Sequence, residues 1–204
     1  MPPGRLLALE GIDGCGKSTQ ARAVANVLDA TLTREPGGTD LGQTLRRLLL
    51  SPDLPPLSLR TEALLMAADR AEHVAVVIAP ALAEGGWVVS DRFSGSTLAY
   101  QGYGRELDLD ELRALVTWAT GGLWPDLSVL VDVPVEVAQA RLAESRPDRL
   151  ERLGPGFAER VRQGFVAQAA GDPEHWLVVD GTLPIDQVTT RILDEVRARL
   201  GAPE

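Results

Sequence analysis

Gly11-Ile12-Asp13-Gly14-Cys15-Gly16-Lys17-Ser18 follows the pattern G-x-x-x-x-G-K-[ST], and its residue types imply a chemistry. Glycines let the backbone curl until successive N–H groups point at phosphate oxygens, and the positive end of a following helix reinforces them. Lys17 is placed to bridge the β- and γ-phosphates of a nucleoside triphosphate, and the Ser18 hydroxyl to hold Mg²⁺. Gly11, Asp13, Gly14, Cys15, Gly16 and Thr19 complete the expected triphosphate-binding set. Lys17 is the sole lysine among 20 basic residues, so a drift of composition toward arginine spared the one position where a compact ammonium suits crowded phosphates. Asp13 is a carboxylate beside a polyphosphate, which is unfavourable without a donor or metal. It is therefore expected to face an acceptor sugar or Mg²⁺. Cys15 is read as a small residue suited to a tight loop, although a helix N-terminus can depress a thiol pKa.

A second set of residues implies a second anion. Arg34-Glu35-Pro36-Gly37-Gly38, Leu45-Arg46-Arg47-Leu48, Asp69-Arg70 and Asp91-Arg92-Phe93 each carry arginine near the end of a predicted element. Arginines converging on one crevice suit a second phosphorylated ligand. The chain as a whole has a formal charge of −9, the wrong sign for a surface that attracts nucleic acid. Any anionic ligand must be held by such local clusters. His73 and His175 have no partners at metal-ligand spacing and are read as structural or solvent-facing.

The elements that would position these residues are legible from periodicity. Short apolar runs predict strands over Leu6 to Glu10, Ala30 to Arg34, Trp87 to Asp91, Leu127 to Asp132 and Trp176 to Asp180. Helices are expected over Lys17 to Leu28, Leu41 to Leu50, Leu59 to Glu84, Leu109 to Thr120, Val135 to Ser145, Gly156 to Ala170 and Pro184 to Leu200. The alternation predicts an α/β fold with a five-stranded parallel sheet flanked by helices. Ligands in such sheets sit beyond the carboxyl ends of the strands, where Glu10, Asp91, Asp132 and Asp180 fall. The stretch from Arg60 to Glu84 is apolar on nearly every face in its second half, so it is expected to be central or buried against a partner subunit. At 204 residues the chain is read as one domain, 1–204. One cysteine fits a reducing, cytoplasmic setting. The start at Met1-Pro2-Pro3-Gly4-Arg5 predicts no signal peptide, and no apolar run predicts a membrane span.

The motifs together resemble bacterial thymidylate kinases, in the family's order and almost from end to end: the glycine loop with Asp13, Thr33-Arg34-Glu35-Pro36-Gly37-Gly38, Asp69-Arg70-Ala71, Asp91-Arg92-Phe93, and Ser96-Thr97-Leu98-Ala99-Tyr100-Gln101-Gly102. The resemblance implies a three-layer P-loop NTPase fold with a mobile lid at about 145–156. It further implies transfer of the γ-phosphoryl group of ATP to dTMP with Mg²⁺, giving dTDP and ADP in dTTP synthesis. By the same resemblance Arg46 and Arg92 grip the acceptor phosphate, Arg70 and Thr97 address thymine, and Asp13 reaches the 3′-hydroxyl. Tyr100 crowds the 2′ position, Asp91 completes the Mg²⁺ shell, and Glu35, Pro36, Ser96 and Gln101 support the acceptor site. Where the family has a phenylalanine stacked on thymine, this chain has Met66, which either covers the base through its polarizable sulfur or belongs to the core. Family members take an arginine for the transferred phosphoryl from the P-loop or from the lid. Gly14 stands at the P-loop position, so Arg149, with Arg146, is expected to supply it. Arg141 either stacks on adenine or is an ordinary surface arginine, and the apolar long helix together with the resemblance implies a homodimer.

Two alternatives compete. A kinase for another nucleoside monophosphate, or for a free deoxynucleoside, would share the fold, but a free hydroxyl acceptor would need a general base. A nucleotide-dependent switch would share the glycine loop. A guanine-type reader Asn-Lys-x-Asp is excluded because Lys17 is the only lysine.

Overall fold

The computed structural model describes residues 4–143 and 146–201. Met1, Pro2 and Pro3 of the expected N-terminus, and Ser145 at the expected helix end and lid start, lie outside the described residues. Five strands, β1 (Arg5–Glu10), β2 (Thr31–Arg34), β3 (Trp87–Asp91), β4 (Leu127–Asp132) and β5 (Trp176–Asp180), form one parallel sheet in the order β2-β3-β1-β4-β5. Helix α1 (Lys17–Leu28) follows β1 directly. The side chains of β1 alternate in direction as a strand requires. Leu7 and Leu9 join Ala21 and Val24 of α1, whereas Leu6 and Ala8 meet Val74 and Ile78 on the opposite face. Helices therefore cover both faces, giving the three expected layers. Each leucine so buried contributes roughly 1.5–3 kcal/mol.

Strand order decides where chemistry can occur. From β1 the chain moves two places one way, to β2; from β3 it moves two places the other way, to β4. The neighbours β1 and β3 are thus the topological switch point, where adjacent connections diverge and leave a crevice. Leu9 pairs in register with Asp91, so the glycine loop after β1 and Arg92 after β3 emerge side by side.

The predicted long helix is continuous over 59–83 but not uniform. It runs as α3 (Leu59–His73), a π-helical segment Val74–Ile78, and α4 (Ala79–Ala83) with Pro80 in its first turn. A proline lacks the N–H that an uninterrupted ladder needs there, and widened i→i+5 turns absorb the defect. Helix α2 (Asp40–Leu50) starts one residue earlier than expected, and Thr39 caps it by accepting from the Gly42 amide at 2.9 Å. A helical stretch that the sequence did not suggest follows β3: α5 (Ser94–Thr97) and π-helical turns Leu98–Gly104. Glycines and burial on nearly every side hide its period. Gly104 is required by packing, because a Cβ there would stand 2.6 Å from the Phe157 ring. The remaining elements are α6 (Leu109–Thr120), α7 (Val135–Leu142), a short 3₁₀ turn Glu151–Leu153, α8 (Pro155–Gly171) and α9 (Ile185–Leu200).

Candidate active site

The glycine loop has the shape its sequence implies. Gly14 and Gly16 adopt φ of 82° and 100°, where side chains are strained, and a Cβ on Gly14 would lie 2.4 Å from the Ala138 carbonyl oxygen. Gly16 precedes α1 with no side-chain cap on the helix; the amides of Thr19 and Gln20 donate to Gly16 O, each at 3.1 Å, which leaves the amides before them for an anion. Lys17 is buried at 6% exposure, and its Nζ donates to the Ile12 carbonyl and to Asp13 Oδ1, each at 3.3 Å. Cys15 is also buried, and burial pushes its thiol pKa up. That outcome favours the small-residue reading over a reactive thiol. Arg141 ties the outside of the loop to the turn after β5, donating to the carbonyls of Cys15 at 3.0 Å and Gly181 at 2.9 Å.

Arg92 reaches the same place from β3. Its backbone takes a left-handed φ of 74°, a conformation that costs a non-glycine residue roughly 1–3 kcal/mol unless its surroundings enforce it. Here the Arg92 amide donates to Leu9 O at 2.9 Å, and Ser90 Oγ donates to the Arg92 carbonyl at 2.7 Å. The guanidinium donates to Gly11 O at 2.9 Å, Ser96 Oγ at 3.0 Å, Asp13 Oδ1 at 2.6 Å and Tyr100 Oη at 2.9 Å. Tyr100 Oη donates in turn to Asp13 Oδ2 at 2.8 Å. Burial alone would raise the Asp13 pKa, but the charges of Arg92 and Lys17 and the hydrogen bonds from Tyr100 and Arg92 outweigh it. The Asp13 carboxyl is held well below the usual carboxylate range and stays ionised.

Glu10, which the sequence marked only as a strand end, fixes this geometry from beneath. One carboxylate oxygen accepts from the amides of Phe93 at 3.0 Å and Ser96 at 3.2 Å, and the other from Ser96 Oγ at 2.6 Å. The turn that carries Arg92 is thereby clamped to β1. Burial pushes the Glu10 pKa up to about 7 against the opposing pull of those donors and of Arg92.

Beyond Arg92 lies an open, mixed polar and apolar cleft. Asp13, Glu35, Pro36, Arg46, Met66, Arg70, Arg92, Ser96, Thr97, Tyr100 and Gln101 all line it, so the structure brings together every residue expected around an acceptor. Arg46 donates to Pro36 O at 2.9 Å. Arg70 donates from Nε to Glu35 at 2.8 Å and from Nη1 to Thr97 Oγ1 at 2.7 Å. Glu35 also meets His73 Nδ1 at 2.9 Å, so the buried carboxylate is satisfied on both oxygens as its burial demands. His73 is thus structural, and His175 is exposed. Gln101 donates to Glu62 at 3.0 Å. Met66 both lines the cleft and packs on the main core. Leu50, Asp69, Asp148 and Leu150 line the same space without having been expected there.

Ser18 Oγ donates to Asp91 Oδ2, and Asp91 Oδ1 is buried with no hydrogen-bond partner among the described residues. A hydroxyl beside an oxygen with spare lone pairs is a hard-ligand set that suits Mg²⁺. Among the described residues no group of three or more acidic, histidine or cysteine side chains forms a protein-only cage.

The two lid arginines lie elsewhere. Arg149 Nη2 donates to the carbonyls of Ser51 at 3.2 Å and Leu54 at 3.4 Å, and Arg146 pairs with Asp53 at 2.9 Å on the exposed surface. Neither lines the cleft. In this conformation backbone carbonyls after α2 hold Arg149, and the Asp53 carboxylate holds Arg146.

The family model described as thymidylate kinase matches residues 9–192. The thymidylate kinase of Cupriavidus metallidurans is 50% identical over 202 residues, covering 97% of this chain and 99% of that protein. That of Methylobacillus flagellatus is 46% identical, covering 95% and 97%. The crystal structure of thymidylate kinase from Ehrlichia chaffeensis superposes with a TM-score of 0.78 at 31% identity, covering 96% of this chain and 99% of that one. On the family match and these relatives, the chain belongs to the thymidylate kinase family.

Proposed function

We propose that the chain transfers the γ-phosphoryl group of ATP to dTMP, giving dTDP and ADP. One observation carries this reading: Lys17 and Arg92 meet at a single oxygen, Asp13 Oδ1, at 3.3 Å and 2.6 Å. The donor loop and the acceptor cleft are thus two sides of one carboxylate, close enough for direct handover. The acceptor oxygen of a nucleoside monophosphate is already anionic near neutral pH, so no general base is required. What the reaction needs is two repelling anions held in line and fixed positive charge around the moving group.

Lys17 and the free amides of α1 bind the donor phosphates, with Arg141 beside the adenine. Arg46 and Arg92 bind the acceptor phosphate, Asp13 orients the sugar, Tyr100 fills the space a 2′-hydroxyl would need, and Arg70, Thr97 and Met66 surround the base. Ser18 and Asp91 would hold Mg²⁺, which when bound offsets charge on the β- and γ-phosphate oxygens. Glu35 and Gln101 keep these side chains in place. Residues 1–204 act as one kinase domain whose segment 145–156 is a lid.

The test is coupled ADP release with ATP and Mg²⁺ fixed, across dTMP, uridine and deoxyuridine monophosphates, and thymidine. Fastest turnover with dTMP and none above background with thymidine is expected. Equal rates with and without acceptor would instead favour a nucleotide-driven switch.

A homodimer is part of the same reading. Leu64 and Val76, 58% and 55% exposed, leave apolar surface along 59–83 that a second copy would cover. Sedimentation should give a dimer at micromolar concentration, and a monomer there would remove this element. The lone unpaired cysteine supports a cytoplasmic setting. Among the described residues no helix is long and apolar enough to cross a membrane.

A further inference from the structure

We propose that Asp69, a residue with no assigned role, is a positioning residue for the acceptor site, setting the place of Arg46 through Gly37 and Gly42. This inference rests on the reading of dTMP as acceptor. Asp69 stands on α3 at 1% exposure and accepts from the Gly37 amide at 2.9 Å. Gly37 lies directly under the Arg46 stem, since a Cβ on it would stand 3.0 Å from Arg46 Cδ. The preceding carbonyl, Pro36 O, is the one that receives Arg46 Nη1. Asp69 also touches α2 itself. A Cβ at Gly42 would come within 2.6 Å of Asp69 Oδ1, so the helix approaches that carboxyl as closely as a glycine allows. Gly42 and Arg46 are four residues apart and share one face of α2. One side chain thus fixes both the turn beneath Arg46 and the helix that carries it.

The carboxyl acts here as a hydrogen-bond acceptor. Its other oxygen, Oδ2, is buried with no partner among the described residues. Burial, and Glu35 next to it, raise the pKa to about 6, as expected where ionisation is poorly solvated. An asparagine keeps the acceptor for Gly37 and puts its amide where Oδ2 stands, so it should preserve the function.

Steady-state kinetics of Asp69→Ala, Asp69→Asn and Gly42→Ala tests this. Asp69→Ala should raise the KM for dTMP about tenfold, the size of a lost buried hydrogen bond, while kcat and the KM for ATP change by less than about twofold. Asp69→Asn should keep the dTMP KM within about threefold of the unaltered enzyme. Gly42→Ala, which leaves Asp69 in place but forces α2 outward, should raise the same KM. The inference is overturned if Asp69→Ala leaves the dTMP KM unmoved, or if Asp69→Asn is as impaired as Asp69→Ala. It is also overturned if both KM values rise together with a lowered Tm. Should Asp69→Ala fail to fold, an unmoved dTMP KM in Gly42→Ala overturns it. An unaltered enzyme that releases no ADP with dTMP would remove the functional reading itself, and this inference with it. Normal dTMP turnover with an unmoved KM would remove the inference alone.

Discussion

Lys17→Met should lower dTMP-dependent ADP release by about 10³-fold or more, the loss of a fixed cation at a desolvated phosphoryl group, with Tm nearly unchanged. Methionine matches the stem of lysine in length and packing, so the variant removes charge and little else. The ammonium has two contacts in the protein, Ile12 O and Asp13 Oδ1. Asp13 keeps its hydrogen bonds from Arg92 and Tyr100 when Lys17 goes, so no buried charge is stranded and the fold survives. Arginine is no substitute, because a planar fork cannot occupy the confined position of a compact ammonium. Coupled ADP release beside a thermal melt decides the matter. Normal turnover in a folded Lys17→Met protein would dissolve the assignment of the glycine loop as the donor site.

Parts of this site were legible because their chemistry is local in sequence. The glycine loop needs its residue types at fixed spacing between a strand and a helix, and Asp91-Arg92 ends an apolar run that can only be a strand. What spacing could not show is that β1 and β3 are neighbours, a consequence of how two crossover connections diverge. Lys17 and Arg92 lie far apart in sequence, and the strand order alone makes them share Asp13. The helical stretch 94–104 was hidden for the opposite reason. Its glycines suppress helix propensity, yet they are needed where Gly102 meets Leu109 and Gly104 meets Phe157. Glu10 was legible only as a strand end and Asp69 only as part of a motif, because each acts through the backbone of a distant turn, Glu10 on Phe93 and Ser96, Asp69 on Gly37. A lone carboxylate at a strand end or beside an arginine carries no sign of which amide it will meet. The change of winding at 74–78 had a visible cause in Pro80, but its form, widened turns rather than a stop, depends on the surrounding packing.

Arg149→Ala should lower kcat by about 10³-fold, the lower end of what an arginine meeting a transferring phosphoryl group supplies. The KM for dTMP should change by only about twofold, because the proposed acceptor contacts are Arg46, Arg70 and Arg92. The placement of Arg149 on the 51–54 turn supports this expectation. Its guanidinium is held there by two long hydrogen bonds to carbonyls, at 3.2 Å and 3.4 Å, and Nη1 is buried with no partner among the described residues. A buried cationic donor left unmatched is poorly stabilised. Leaving that dock for the oxygens of a triphosphate costs little and gains charge-assisted hydrogen bonds. Arg146 differs, being an exposed ion pair with Asp53 of the kind that contributes little. Arg146→Ala should therefore leave kcat within about threefold, whereas Arg149→Lys should recover only part of the loss because it keeps charge without the fork. Rapid-quench measurement of a single turnover separates the chemical step from product release. A chemical rate in Arg149→Ala equal to that of the unaltered enzyme would show that the positive charge meeting the transition state comes from elsewhere, with Arg92 the nearest remaining source.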